Sequence, residues 1–181
     1  SKGNFIDSHH LILLLIHYMV KYKGMSGKIV TAFSCTVKVE QMCNHYALDQ
    51  ETVKIGFKHI AGKMISEDVL LGGEESGGIA TKGHIPERDG IWMGLILFEF
   101  MAKSGKSLED LIAEVYDIVG SFAFERIDLH IDNKTKLSII EDCKAGKFTE
   151  FGKYKVERVD TTDGFKFFFD ADTWLMIRPS G

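Results

Sequence analysis

The sequence has no cluster of lysine and arginine, and its formal net charge is −4 over 181 residues. Nucleic-acid binding normally shows as a basic excess on one face, so the composition argues against it. The three cysteines, Cys35, Cys43 and Cys143, form an odd set without CxxC spacing. Neither a disulfide framework nor a zinc site is suggested, and a reducing, cytoplasmic compartment is the simplest expectation. No apolar run approaches the roughly 20 residues that a membrane span needs. The most apolar run, Leu11 to Ile16, is bracketed by His10 and His17, so no membrane partner is expected. Internal repeats, low-complexity tracts and a signal peptide are not visible either. The chain opens on Ser1 rather than methionine, so its start is expected to be cut.

What is present is ordinary globular composition, 45% hydrophobic and 27% charged, enough apolar surface for a core. The length suits one medium domain or two small ones. Asp7 or Ser8 can cap a helix running through the apolar stretch to Val20, with Gly24 as its stop. Strand and helix patterns then alternate. Lys28 to Phe33 reads as a strand and Val37 to Leu48 as a helix; Glu51 to Ile55 and Val69 to Gly72 are strands on either side of a helix over Phe57 to Ile65. Such alternation implies α/β layering around one sheet.

Gly90 to Ala102 is apolar nearly all round, as for a helix packed on a sheet, and Ser104 and Gly105 interrupt it. Ser107 with Asp110 resembles a capping box for a new helix. Ile127, Leu129 and Ile131 alternate with polar residues, predicting a half-buried strand, and Lys134 to Lys144 reads as a helix. The turn "TTDG" (Thr161 to Gly164) between two apolar runs predicts a hairpin, and Trp174 to Ile177 a last strand. The expected organisation is a layered α/β domain over residues 1–105 and a small α+β domain over residues 106–181.

Three stretches carry chemistry. "GGEESGG" (Gly72 to Gly78) places Glu74, Glu75 and Ser76 at the carboxyl end of a strand, the edge where open α/β sheets bind ligands. Vicinal sugar hydroxyls suit such a loop, because a carboxylate accepts from two neighbouring hydroxyls and a serine serves a third. A solvated acidic turn is the alternative. "HIPERDG" (His84 to Gly90) brings Arg88 before the next helix, to meet an anion or to pair with Glu87 or Asp89. The terminal Arg178, Pro179, Ser180 and Gly181 can offer a guanidinium fork, a hydroxyl and backbone N–H groups to one phosphate, or simply fray. His9, His10 and His17 lack acidic or thiol partners at ligand spacing, so no metal is expected there. Ser34 and Cys35 end the first strand without a GxSxG elbow. Lys54 and Lys58 either face the strand-end cleft or are solvated.

In this order, "IGFKHI" (Ile55 to Ile60), "GGEESGGI" (Gly72 to Ile79), "HIPERDGI" (His84 to Ile91) and "WLMIRPSG" (Trp174 to Gly181) resemble the α-D-phosphohexomutase family. The resemblance covers essentially the whole chain. It implies the third of that family's domains, α/β in fold, followed by most of the fourth, which is TATA-binding-protein-like and incomplete here at its C-terminus. By similarity, Glu74 and Ser76 bind two ring hydroxyls of a hexose phosphate substrate. Arg178, Ser180 and Gly181 match the loop for the non-reacting phosphate, His84 and Arg88 line the cleft, and Lys54 is a less certain cleft lysine.

The resemblance also implies a mutase interconverting hexose 1-phosphate and hexose 6-phosphate, with glucose, mannose or both as the sugar. The route runs through an enzyme phosphoserine and a bisphosphate such as glucose 1,6-bisphosphate. The family's phosphoserine loop and its aspartate-rich Mg2+ loop belong to the first two domains and have no counterpart in these residues. No catalytic or metal-binding residue is therefore assigned within them. A fragment that depends on the two missing domains, and is inactive alone, is the expectation. The alternative is a catalytically silent module that binds sugar phosphates.

Overall fold

The Asp7 carboxylate accepts the backbone N–H of His10 at 3.0 Å, which caps α1 (Ser8–His17) and satisfies one of the donors a helix start leaves open. In the computed structural model, which describes residues 3 and 5–179, α1 runs on into a π-helical turn (Tyr18–Tyr22). Gly24, with φ at +63°, follows that turn. Ile12 to Ile16 are buried without a break, as an all-round apolar helix must be.

The chain then forms β1 (Lys28–Ala32), α2 (Lys38–Tyr46), β2 (Gln50–Val53), α3 (Phe57–Ser66), β3 (Val69–Gly73), β4 (Ile79–Thr81), α4 (Gly90–Ser104) and α5 (Leu108–Val119). The sheet order is β2-β1-β3-β4. The first three strands are parallel, and β4 pairs antiparallel with β3. From β1 the chain steps outward to β2 and then back past β1 to β3. Right-handed crossovers in opposite directions place their helices on opposite faces. Phe57 and Ile60 of α3 pack with Val30, Val69 and Ala80 on one face. On the other, Ile12, Met42, Phe100 and Leu111 bring α1, α2, α4 and α5 into one core.

Two glycines let both layers close on β3. A Cβ on Gly72 would stand 2.2 Å from Ile60 Cγ2 of α3, and one on Gly73 2.8 Å from Ile12 Cδ1 of α1. Neither position has room for a side chain.

The first compact unit extends over Ser1–Ala123, past the boundary expected at 105/106. Gly105, with φ at +67°, does end α4, and the Ser107–Asp110 capping box does start α5. The new helix nevertheless folds back, burying Leu111, Val115 and Val119 in the same core. Glu114 ties it down further. Its carboxylate accepts from Lys106 at 2.5 Å, Lys21 at 2.8 Å, Tyr22 at 3.0 Å and the His17 Nε2 at 3.1 Å. The Tyr46 hydroxyl lies 2.6 Å from His17 Nδ1, so the buried ring is held on both edges.

The second unit, Phe124–Gly181, contains α6 (Asn133–Lys144), the hairpin β5 (Glu150–Phe151) and β6 (Tyr154–Lys155), and the strands β7 (Arg158–Asp160), β8 (Phe165–Phe168) and β9 (Trp174–Ile177). The last three form an antiparallel sheet in the order β7-β8-β9, and "TTDG" makes the turn between β7 and β8 as expected. Phe167 packs with Phe148 and Phe151. From the alternate positions Arg158 lies 3.7 Å from the Phe168 ring centre and Lys166 4.0 Å from that of Trp174. The strand expected over 127–131 does not form: Ile127 and Leu129 are exposed. Alternation yields a strand only where a neighbouring edge takes up its backbone, and among the described residues this segment pairs with none.

Burial alone would raise the Glu114 carboxyl, but the bonds from Lys106, Lys21, His17 and Tyr22 outweigh it and hold the group far below the usual value of 4.5. A depressed carboxyl stabilises the fold fully above its unfolded value, and that contribution is lost as pH falls through the folded one. Glu114→Gln is therefore expected to cost about 1–3 kcal/mol at neutral pH in urea unfolding of the first unit. The penalty should shrink as the pH is taken below 4.5.

Candidate functional site

Parallel pairing of β1, β2 and β3 brings their carboxyl ends to one edge of the first unit. Ser34 leaves β1 there, Lys54 leaves β2 and Glu74 leaves β3. Five residues, Glu74 to Gly78, connect β3 to β4. The Glu74 N–H donates to the Gly78 carbonyl at 2.9 Å and the Gly77 N–H to the Glu74 carbonyl at 3.1 Å. This closes a tight loop with Ser76 and Gly77 exposed at its tip.

Glu74 itself is buried, only 4% exposed. An unpartnered buried carboxylate is costly, and the Gly56 N–H meets one oxygen, Oε1, at 2.9 Å. Gly56 opens α3 with φ at +125°, a conformation that aims its N–H at the carboxylate and that suits glycine. The neighbourhood of the other oxygen is set by Gly78, where a Cβ would lie 3.1 Å from Glu74 Oε2 and 2.6 Å from Arg88 Cδ. Glu74 and Arg88 thus both lie against a residue that has no side chain. The Arg88 guanidinium lies 5.4 Å from the centre of the Phe57 ring and its Nε donates to Glu87 at 3.0 Å.

His84 is turned toward the start of α4. Its Nε2 lies 2.9 Å from Asp89 Oδ2, and its ring stacks on Trp92 with 4.7 Å between centres. Asp89 also caps α4 through the Trp92 N–H. That N–H and the His84 ring hold the Asp89 carboxyl below its ordinary value. The structure therefore brings Glu74 and Arg88 to either side of Gly78, sets Ser76 and Lys54 exposed on the same edge, and fixes His84 through Asp89 and Trp92.

Glu75 stands out among the residues that spacing did not explain. The Ser34 hydroxyl donates to its carboxylate and the Ser8 hydroxyl to its backbone carbonyl. Ser34 and Cys35, which end the first strand without a GxSxG elbow, are here a loop anchor and a buried thiol against the Gly73 carbonyl. No local pattern links positions 8, 34 and 75; only the folded sheet does.

In the second unit Arg178 follows β9, with its Nε 3.6 Å from Asp163 Oδ1. Ser180 and Gly181 lie outside the described residues. The turn at Gly164 passes under this position, since a Cβ there would stand 3.0 Å from the Ile177 carbonyl oxygen. An open groove of about 690 Å³ in this unit is lined by Cys143, Phe148, Arg158 and Phe167 among others, none of them a candidate residue. Among the described residues no group of three or more His, Cys, Asp or Glu side chains is placed to hold a metal ion. No helix among them is long and apolar enough to cross a membrane.

A family model, "Phosphoglucomutase/phosphomannomutase, alpha/beta/alpha domain III", matches residues 7–119. The phosphoglucomutase/phosphomannomutase of Thermococcus kodakarensis is 28% identical over 183 residues, covering 100% of this chain and 37% of that protein. The phosphoglucosamine/phosphogalactosamine mutase of Sulfurisphaera tokodaii is 30% identical over 189 residues, covering 100% of this chain and 40% of the relative. A solved structure from Thermus thermophilus, provisionally named a phosphomannomutase, superposes with a TM-score of 0.80 at 29% identity. That match covers 97% of this chain and 35% of the other. The chain thus spans about two-fifths of the length of the curated relatives it matches.

The Gly56 to Glu74 bond gives a direct check on this geometry. Gly56→Ala forces an L side chain into a positive-φ backbone and is expected to cost about 1–3 kcal/mol in denaturant unfolding. Relief of that strain would rotate the N–H away from Glu74.

Proposed function

The chain belongs to the phosphoglucomutase/phosphomannomutase family, and from that premise we propose that the protein interconverts hexose 1-phosphates and hexose 6-phosphates. These residues supply the contacts to the sugar ring and to the phosphate that does not react. The observation that carries this is the Glu74 to Gly78 loop. It stands at the carboxyl edge of the parallel strands with a buried carboxylate held by the Gly56 N–H and with Arg88 alongside.

Phosphoryl transfer asks a protein mainly for positioning and charge neutralisation. In the proposed reaction an enzyme phosphoserine outside these residues gives its phosphoryl group to the free sugar hydroxyl, forming a bisphosphate. The bisphosphate reorients and returns its other phosphoryl group to the serine. Glu74 and Ser76 must then hold the ring in two orientations. Two neighbouring hydroxyls far from the phosphates offer nearly the same face in both, so an acceptor carboxylate and a serine hydroxyl suit them. Arg178, with Ser180 and Gly181, takes the distal phosphate as a charge-assisted partner. His84 and Lys54 line the cleft, and Arg88 adds positive charge beside the loop. Mg2+ would supply charge neutralisation to the phosphoryl group in transfer. The described residues offer the ion no ligand set. Without the serine, the 181-residue chain alone is expected to bind hexose phosphate without turning it over.

A loop that grips those two hydroxyls does not touch the sugar's 2-position, so it does not separate glucose from mannose. The same argument admits a 2-amino sugar, and the Sulfurisphaera tokodaii relative's name favours that second substrate.

The test is an assay of the whole protein with the 1-phosphates of glucose, mannose and glucosamine. Turnover of any of them supports the mutase, and binding without turnover would move the assignment to a silent sugar-phosphate module. In the active protein, Arg178→Ala is expected to lower kcat/KM by about 10- to 100-fold, since a hydrogen bond to a charged group is worth roughly 1.5–3 kcal/mol. Unchanged kcat and KM would remove the phosphate role from Arg178.

A further inference from the structure

Between the two residues assigned to the sugar stands Glu75, to which that reaction gives no part. The loop's internal bonds, Glu74 N–H to the Gly78 carbonyl and Gly77 N–H to the Glu74 carbonyl, tie it only to itself. Its tip is Ser76 and Gly77, both exposed, with Gly77 at a φ of +92°. Gly77 and Gly78 leave the tip of the turn free to shift unless something outside the turn holds it. The Gly56 N–H holds the Glu74 side chain, and Glu75 fastens the turn to two further elements of the unit. Its carboxylate accepts the Ser34 hydroxyl at the end of β1, and its carbonyl accepts the Ser8 hydroxyl in the first turn of α1. The attachments are to two different elements, 41 and 67 residues away in sequence, so together they resist rotation about any one axis.

We infer that Glu75 is a positioning residue, whose bonds to Ser34 and Ser8 lock the loop so that Glu74 and Ser76 meet the ring hydroxyls in one geometry. The inference rests on the sugar-binding role proposed for the loop. Glu75 does not touch the sugar: its carboxylate is half-buried and turned to the strand end, whereas Ser76 faces solvent. A carboxylate and a hydroxyl make a charge-assisted bond, among the stronger that a side-chain pair can form. Small displacements of a positioning group have large kinetic effects.

The experiment compares Glu75→Ala, Glu75→Gln, Ser34→Ala and the Ser34→Ala/Glu75→Ala double variant in the whole protein. It measures KM and kcat for hexose phosphate, and amide hydrogen exchange over residues 74–78 without ligand. Glu75→Ala is expected to raise KM by about tenfold with a smaller change in kcat, and to speed exchange in the loop. Glu75→Gln keeps an acceptor oxygen for Ser34 and should hold KM within about twofold of the parent. Ser34→Ala, the milder change should the Glu75 variants fold poorly, should resemble Glu75→Ala, and the double variant should be no worse than either single one. Equal impairment by Glu75→Gln and Glu75→Ala would overturn the inference, because it would mean that the charge itself is needed. So would unchanged exchange in Glu75→Ala. Exchange is read without ligand, so a loop loosened by Glu75→Ala in a protein that binds no hexose phosphate would sink the sugar site and leave the fastening intact.

Discussion

Two helices close on β3 from opposite faces until Ile60 of α3 and Ile12 of α1 reach the space that side chains of Gly72 and Gly73 would fill. Much of the first unit depends on that approach. It lets a sheet only four strands wide bury both faces. It also delivers the chain into Glu74 from a strand held on both sides, so the loop leaves a rigid stem. The double glycine in "GGEESGG" thus serves packing, while the glycines after it serve the turn and leave room for Arg88. One short motif meets two separate demands.

Charge is handled in the same economical way. Glu74 is buried and answered by one backbone N–H from a glycine whose dihedral only glycine adopts easily. Glu114, on the other side of the sheet, is answered by two lysines, a tyrosine and a buried histidine. The first arrangement leaves carboxylate capacity for a ligand. The second uses that capacity to hold α5 against α1, and this is why the unit does not end at Gly105.

Much of the fold was legible in the sequence, because it is written in local patterns. Alternating strand and helix periods gave the α/β layering, Ser107 with Asp110 gave a helix start, and "TTDG" gave the last hairpin. The four motifs in order gave the family. The strand expected over 127–131 failed because alternation records a preference for one exposed face and says nothing of a partner edge. The boundary at 105/106 failed because a glycine stop marks the end of a helix, and only packing decides whether the next helix belongs to the same core. The placement of Glu74 beside Arg88 was half legible: both residues stood out, but the Gly56 N–H that orients the carboxylate did not. The Ser8, Ser34 and Glu75 contacts were hidden altogether, since nothing in the spacing of three polar residues announces that a sheet will bring them together.

The parallel sheet has a further consequence, for the order of events in folding. β1 is one of the two inner strands, and each of its ladders joins it to a strand that the chain reaches only after a helical crossover. The β3–β4 hairpin can pair locally across the Glu74 to Gly78 turn, but the parallel part of the edge has no close neighbour in sequence to pair with. Ser34, Lys54 and Glu74 come together only when both crossovers are complete, which is a non-local and therefore slow event. A chain emerging from synthesis does not hold the complete edge until β3 has docked on β1. Ligands that use it select the finished unit and add their binding energy to its stability alone.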